Sequence, residues 1–420
     1  SAAWLSRYWP NVKRDPALNH AAMQLLRRSD NWPAVLQLLD SADDESEHGP
    51  GLHELALLAI ANQPQEQIVD GLLARLQDEK DAQRRAEYAD ALARVYKKPA
   101  RWTYWGFRPP PRPAHPDSWE KTGIIETALD GALADPNPIV RLAALVQMRR
   151  EAVPVKLSSL SAWLKTERDL ERASQLLEAL GDYPAADVVG LQEQVLRDRT
   201  YSAANRLTAL AALSAELPAG DSDGLLEIGN SIEEGPVLAA LLAELGSRPK
   251  TPAEVLLLER VFSSSAIVRA AAVDALTARK SDKLASHVVR MLEDDDAGVR
   301  RSAAVAAGVL QVVSAAEPLR GMAFDEDRLL VAACLVSLKQ LRDPAAVPQA
   351  VAALKREETR LEAISYLESF GSASQLEPLE QLTESNRSMQ VLTGIARALS
   401  AWQASSEDDP RRSQAIADAL

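Results

Sequence analysis

Apolar and small residues recur at every fourth position in several segments of the chain, each introduced by a Val-Arg pair. The clearest copies lie at residues 136–148, 264–276 and 295–307. In each copy, further apolar or small side chains follow the Val at four and eight residues: Val140, Ala144 and Met148; Val268, Ala272 and Leu276; Val299, Ala303 and Ala307. This spacing places the three side chains on one face of an α-helix. The pattern therefore predicts a set of helices, each with one apolar face.

The helical pattern returns at a nearly constant interval. Steps of 31 residues lead from Val268 to Val299, then to Leu330 and Leu361, and a step of 30 leads to Val391. Self-similarity at this period indicates a repeat protein rather than a set of unrelated domains. About nine units fit between residues 120 and 403, and three weaker units precede residue 97.

Each unit also contains a second apolar stretch, such as Leu284, Val288 and Leu292, again spaced four residues apart. A unit is therefore predicted to be a helical hairpin of about 31 residues. One hairpin is too small to bury its own apolar faces, so neighbouring hairpins must stack and share a continuous core. Cys334 occupies the middle core position of its unit, which predicts a small, buried, unreactive side chain.

The pattern D-x-x-x-x-V-R, which spans Asp135–Arg141 and Asp294–Arg300, resembles the HEAT repeat. In that family, the Asp and the Arg form a ladder of hydrogen bonds between repeats. The positions that match the Arg are Arg141, Arg172, Arg206, Arg269 and Arg300. Asn205 and Glu171 replace the Val, and units after residue 320 lack the Arg, so we expect the ladder to be interrupted there. The resemblance implies an all-α fold, a right-handed α-solenoid of about twelve HEAT-like hairpins, but it implies no function.

Residues 97–119 interrupt the repeats with a segment rich in proline and aromatic residues. Consecutive prolines favour an extended strap over a helix, and aromatic rings beside arginines are typical of binding hot spots. Three roles fit the segment: a structural strap across neighbouring repeats, a presented binding surface, or a proline-rich ligand for an SH3-like partner. The candidate binding surface consists of Arg101, Trp102, Tyr104, Trp105, Phe107, Arg108, Arg112 and Trp119.

Residues 102–125 also resemble the helical-repeat region of large exported proteins of the planctomycete and verrucomicrobial group. In those proteins, a sugar-dehydrogenase-like propeller precedes the repeats and a c-type cytochrome domain follows them. The resemblance implies that the chain is one part of a longer, exported protein, or a relative that has lost the redox domains. It carries over no catalytic or haem-binding residue, because the chain has neither a propeller pattern nor a C-x-x-C-H motif.

Composition and charge narrow the function further. The 420 residues are 46% apolar but only 5% aromatic, and the formal net charge is −13. Such an acidic chain opposes a general nucleic-acid-binding role, since phosphate contacts need clustered Lys and Arg. No window approaches 18 consecutive apolar residues, so we expect no membrane span. One Cys and five scattered His residues predict no metal site, no cofactor and no enzymatic activity.

The chain is thus predicted to contain N-terminal repeats at 1–96, the insertion at 97–119, further repeats at 120–403 and a tail or linker at 404–420. We predict a non-catalytic scaffold that binds a protein partner or a flanking domain of the same chain. Two alternatives stay open: carbohydrate binding through the aromatic insertion, and an enzyme subunit of the bilin-lyase kind, where short HEAT-like repeats also occur. The resemblance of residues 102–125 to exported proteins predicts an exported or periplasmic location. Without that resemblance, we would expect a cytoplasmic location.

Overall fold

A computed structural model of the chain describes residues 15–43, 49–98, 118–216 and 223–403. These residues form 23 α-helices, five short 3-10 helices and no β-strand. The all-α prediction is therefore confirmed. The chain divides by its internal contacts into two compact units, residues 1–191 and 192–420.

The helices belong to two sets that alternate along the chain. The odd-numbered helices carry the repeat pattern, and the even-numbered helices are their hairpin partners. The odd-numbered helices are α1 (Pro16–Ser29), α3 (Gly49–Ile60), α5 (Ala82–Arg94), α7 (Pro138–Arg150), α9 (Leu170–Leu180), α11 (Ala203–Glu216), α13 (Pro236–Ser247), α15 (Ala266–Ala278), α17 (Ala297–Val309), α19 (Arg328–Gln340), α21 (Arg360–Phe370) and α23 (Met389–Gln403). The even-numbered helices are α2 (Trp32–Gln37), α4 (Glu66–Asp78), α6 (Thr122–Ala132), α8 (Leu157–Thr166), α10 (Ala185–Arg197), α12 (Asp223–Ser231), α14 (Glu254–Arg260), α16 (Asp282–Met291), α18 (Ala316–Met322), α20 (Val347–Ala353) and α22 (Leu376–Ser385).

Successive odd-numbered helices pack directly on one another within each unit. In the first unit α1 packs on α3, α3 on α5 and α5 on α7, and in the second unit the same contact continues from α11 to α23. The predicted core positions are buried in these contacts: Val140, Ala144 and Met148; Val268, Ala272 and Leu276; Val299, Ala303 and Ala307; Leu330, Cys334 and Leu338; Val391, Ile395 and Leu399. Burial raises the pKa of the Cys334 thiol to about 12, so this side chain stays a neutral apolar residue, as predicted.

Small residues permit this close packing. A Cβ added at Gly246 of α13 would lie 2.7 Å from the Cα of Ala275 on α15. A Cβ added at Gly308 of α17 would lie 2.8 Å from the Cα of Ser337 on α19. Both distances are shorter than non-bonded carbon atoms tolerate. The two helix pairs can therefore approach this closely only because glycine occupies these positions.

The predicted repeat register is wrong at one unit. Leu361, which the 31-residue step assigns to the core, is 41% exposed, whereas Thr359, Ala363 and Leu367 are fully buried. Thr359 occupies the first core position, and its hydroxyl donates to the carbonyl oxygen of Ala353 at 2.8 Å. A pattern of apolar residues does not include a buried threonine. The step from Leu330 was therefore counted as 31 residues to Leu361 instead of 29 residues to Thr359.

The corrected register restores an arginine that the sequence analysis missed. Arg360 follows the core residue Thr359 as Arg300 follows Val299. The Nε of Arg360 donates to the carbonyl oxygen of Leu354, six residues earlier, at 3.0 Å. Arg300 makes the same kind of bond to the carbonyl oxygen of Asp294 at 2.8 Å. The expectation that every unit after residue 320 lacks the Arg is therefore wrong.

Three arginines join successive repeats in the way that the HEAT resemblance implies. Each forms two hydrogen bonds to a carboxylate in the turn of the following repeat: Arg85 to Asp135, Arg206 to Glu233 and Arg269 to Asp294. Arg269 also donates to the carbonyl oxygens of Ser263 and Ser264, so one guanidinium joins its own turn to the next. The hydrogen bonds from Arg269 lower the pKa of Asp294, although burial opposes the shift. The pairing of Arg206 shows that Asn205 does not interrupt the ladder.

The ladder is interrupted instead at Arg141, Arg172 and Arg300. Arg300 donates to the carbonyl oxygens of Asp294 and Asp295 in its own turn and forms no ion pair with a described residue of the next repeat. Arg141 also fails to reach a carboxylate. Its Nη2 lies 3.8 Å from the nearest oxygen of Glu167, too far for a hydrogen bond. Glu167 is already occupied by Arg172, which binds it within the same turn rather than reaching the next repeat as predicted. Burial alone would raise the pKa of Glu167, but hydrogen bonds from Arg172, Trp163 and two backbone N–H groups lower it to about 2. Glu167 therefore stabilises the turn in which it lies and does not join two repeats.

Candidate functional site

Most of the predicted binding surface lies outside the described residues. This applies to Arg101, Trp102, Tyr104, Trp105, Phe107, Arg108 and Arg112. Their role as a binding surface remains a prediction.

Trp119 is the predicted site residue that the structure does describe. Its indole Nε1 donates to the carbonyl oxygen of Val95 at 3.1 Å, and the Nζ of Lys98 lies 4.1 Å from the ring centroid. Its backbone N–H donates to the hydroxyl of Thr122, which in turn donates to the carbonyl oxygen of Tyr96. Trp119 therefore joins the end of α5 to the start of α6, and its ring is half-buried in this contact.

A groove of about 380 Å³ crosses α3, α5 and α7 in the first unit. We call it the acidic groove. Its apolar lining comes from two leucines of α3 and from small residues of all three helices, and its charged lining includes three carboxylates and one guanidinium. The lining residues are Glu54, Leu57, Leu58, Ala61, Gln83, Ala86, Glu87, Asp90, Ala91, Arg94 and Ala143.

A buried histidine fixes one wall of the acidic groove. Nε2 of His53 lies 2.7 Å from Glu87, and Nδ1 lies 2.8 Å from the carbonyl oxygen of Leu39. A carbonyl oxygen and an ionised carboxylate can only accept hydrogen bonds, so both ring nitrogens must carry protons. Burial alone would lower the pKa of His53, but the bonds to Glu87 and Leu39 outweigh it and raise this pKa. The same bond from His53 lowers the pKa of Glu87, against the effect of its burial.

The second unit has a different groove, formed by α19, α21 and α23. We call it the apolar groove. Two adjoining depressions of about 600 and 530 Å³ share Leu361 and Ser365. Val336, Leu361 and Met389 project into it with 42%, 41% and 67% of their surfaces exposed. Unlike the acidic groove, this one carries two cations, Lys339 and Arg397, against the single carboxylate of Glu362.

The described residues give no sign of metal chemistry or of a membrane span. Among them, no three His, Cys, Asp or Glu side chains lie close enough together to hold a metal ion. None of the helices in the described part of the chain is long and apolar enough to cross a bilayer.

Sequence reasoning missed both grooves. Their lining residues are scattered over three helices, and most of them are common surface residues with no motif. One signal was present: α3 contains only two polar side chains, His53 and Glu54, among its twelve residues. A helix that is apolar on all sides is usually covered on all sides. This composition could have marked α3 as part of a contact surface.

No protein-family model and no curated protein sequence matches the chain. Solved structures do resemble it. A structure of Kap95p with RanGDP covers 99% of the chain with a TM-score of 0.55 and 13% identity. The Kap95:Nup1 complex covers 96% with a TM-score of 0.56 and 13% identity, and Kap121p covers 99% with a TM-score of 0.54 and 13% identity. The fold is a HEAT-repeat solenoid. The alternating helices, the Arg–carboxylate ladder and these likenesses all agree on it.

The likenesses establish the fold and nothing finer. The chain spans about 60% of the length of the Kap95p chains and 56% of Kap121p. The complex of CpcE and CpcF of phycocyanin lyase from Nostoc is also similar, but with a TM-score of 0.30 and 12% identity. That value is too low to support lyase activity for this HEAT-repeat solenoid.

Proposed function

We propose that the chain is a non-catalytic protein-interaction module within a larger, exported bacterial polypeptide. The observation that carries the proposal is the exposed face of the odd-numbered helices in the second unit. Exposed apolar side chains of three successive repeats meet there, since the two depressions of the apolar groove contain Val336, Leu361 and Met389. Apolar residues exposed together in this way mark interaction surfaces.

Two further observations support a protein partner. Solved neighbours of this fold include Kap95p in complex with RanGDP and with Nup1, both of which are proteins. The segment 97–119 supplies rigid aromatic rings and arginines of the kind found at interface hot spots, with Trp102 and Trp105 as its anchors. The partner is a flanking domain of the same polypeptide or a separate protein.

Site-specific photo-crosslinking in the native organism tests the proposal. A photoreactive amino acid replaces Val336 or Leu361 on the odd-numbered helices. Val255 of α14, on the other set of helices, provides the control because it is 66% exposed, more than Val336 or Leu361. We expect cross-links to a flanking domain or a second protein from the first two positions and not from Val255. Equal cross-linking at all three positions would contradict the proposed face.

Two further measurements separate the alternatives. The length of the native gene decides whether the chain belongs to a larger polypeptide. A gene that encodes these residues alone would refute the proposal of a larger polypeptide. Quenching of tryptophan fluorescence by polysaccharides, lost in a Trp102→Ala, Trp105→Ala variant, would favour carbohydrate binding instead.

A further inference from the structure

We propose that the acidic groove of the first unit binds a peptide segment in which a lysine or arginine adjoins a large apolar side chain. The inference rests on the proposed function, since it assumes that the chain binds proteins, and it names the site and the chemistry of one ligand. Four features of the groove support it.

The first feature is the composition of α3. Leu55, Ala56, Ala59 and Ile60 are buried against the rest of the unit, as expected for one face of a helix. The opposite face also carries leucines, and Leu58 is 43% exposed. Removing this leucine from water would favour binding of an apolar partner. The groove therefore offers an apolar contact that the described residues leave open.

The second feature is an unpaired carboxylate. Asp90 is bound by Arg94 at 2.7 Å, and Glu87 is bound by His53. Glu54 stands one turn before Leu57 and Leu58 and is exposed, and no described residue forms an ion pair or hydrogen bond with it. It is the carboxylate of the groove that remains available to a cation of a partner.

The third feature is the size of the residues below the leucines. Ala86 and Ala91 of α5 and Ala143 of α7 form the floor. Their short side chains leave the volume of about 380 Å³ open, which lies in the range of about 300–1,000 Å³ typical of ligand pockets. One or two large apolar side chains of a peptide fit there, while a neighbouring cation reaches Glu54.

The fourth feature is electrostatic. The groove carries three carboxylates and one guanidinium, with the His53 imidazolium beneath it, and the whole chain carries a net charge of −13. This field attracts cations and repels anions, so it favours a basic segment over an acidic one and makes association sensitive to salt.

Peptide titrations test the inference on the whole chain. The probes are fluorescein-labelled peptides of about twelve residues: one of Lys and Leu, one with every Lys changed to Glu, and one with every Leu changed to Ala. Fluorescence anisotropy measures their affinity at low and moderate salt. We expect the Lys/Leu peptide to bind at least about tenfold more tightly than the other two. Equal binding of the Lys/Ala peptide would show a charge effect only and would overturn the inference.

Variants locate the binding in the groove. Glu54→Gln should weaken the Lys/Leu peptide about three- to fivefold, the range of an exposed ion pair. Ala143→Trp fills the floor and should weaken it more than tenfold. Two controls match these changes outside the groove: Glu66→Gln, an exposed carboxylate of α4, and Ala162→Trp, an exposed alanine of α8. If the controls weaken binding as much as the groove variants, the groove is not the site.

Hydrogen exchange gives a readout on the unchanged chain, so a misfolded variant does not leave the question open. The Lys/Leu peptide should slow amide exchange in α3, α5 and α7. Slowing elsewhere, with no effect in these helices, would overturn the assignment. A further variant changes Arg101, Arg108 and Arg112 to Ala. If the Lys/Leu peptide binds this variant but not the unchanged chain, the insertion at 97–119 is the ligand of the groove, and the proposal of a separate peptide is wrong. Cross-links from Val336 or Leu361 test the proposed function separately, since those residues belong to the other unit.

Discussion

At the scale of single residues, the pair formed by the buried His53 and the half-buried Glu87 makes the first unit sensitive to pH. The pKa of His53 is raised in the folded chain, so its contribution to stability is complete below the ordinary histidine pKa of about 6.5 and is lost as the pH rises through the folded value. The pKa of Glu87 is lowered, so its contribution is lost in the opposite direction, as the pH falls through its folded value. The pair therefore stabilises the fold most in mildly acidic solution.

We expect the midpoint of thermal unfolding to fall as the pH rises above the ordinary histidine pKa of about 6.5 and His53 loses its proton. A His53→Gln variant should be less stable at about pH 6 but should lose this part of the pH dependence, because its amide can still donate to Glu87 without titrating. Calorimetry of both proteins over the same pH series measures the difference. A parallel pH dependence in the two proteins would show that another group is responsible.

The Arg–carboxylate ladder shows which residue roles a sequence can predict. Arg269 and Asp294 follow the D-x-x-x-x-V-R pattern and pair as expected. Arg172 aligns with the ladder but binds Glu167, five residues earlier, and Arg84 binds Glu79 at the same spacing. In both turns the Glu also accepts the backbone N–H groups of the next two residues. The sequence motif identifies the arginine, but it cannot show whether the arginine binds a carboxylate of its own turn or one of the next repeat.

At the scale of the helix, the close contact of α13 and α15 depends on a missing side chain. We expect Gly246→Ala to destabilise the second unit by about 1–3 kcal/mol, because the new methyl group would overlap the backbone of Ala275. This cost exceeds the gain in helix propensity of about 1 kcal/mol. Gly321→Ala in α18 is the matched control, since nothing lies within 4 Å of its added Cβ.

Denaturant unfolding of the two glycine variants measures these changes. The control should be as stable as the unchanged chain or more stable, by up to about 1 kcal/mol. A stabilised Gly246→Ala variant would mean that the helices can separate at little cost, and close packing would then not explain the glycine.

The core positions of the repeats were predictable wherever apolar residues fill them, and less so elsewhere. The twelve units expected from the sequence correspond to the twelve odd-numbered helices of the described residues. The register failed at Leu361, because a threonine occupies the first core position and satisfies its hydroxyl within its own turn. A hydrophobic pattern identifies which residues avoid water, but it cannot identify a polar residue that is buried with a partner.

At the scale of the whole molecule, the repeat makes each hairpin depend on its neighbours. This dependence was predictable from the 31-residue period, because a single apolar face needs another to cover it. The grooves were not predictable, since they arise where residues of three repeats meet and no single repeat carries their pattern. The last described helix, α23, shows the dependence most directly. Gly394 packs on Ile364 of α21, and the indole of Trp402 donates to the carbonyl oxygen of Leu367 at 3.0 Å.

Removal of residues 389–420 should therefore destabilise the end of the second unit. It uncovers Ile364 and deletes the buried side chains of Val391, Ile395, Leu399 and Trp402, each of which contributes about 1.5–3 kcal/mol when fully buried. We expect a lower unfolding midpoint and binding of a dye that reports exposed apolar surface. Removal of residues 404–420 alone should change neither property if that segment is a linker. Equal effects of the two truncations would instead mean that the tail, rather than α23, covers the last repeat.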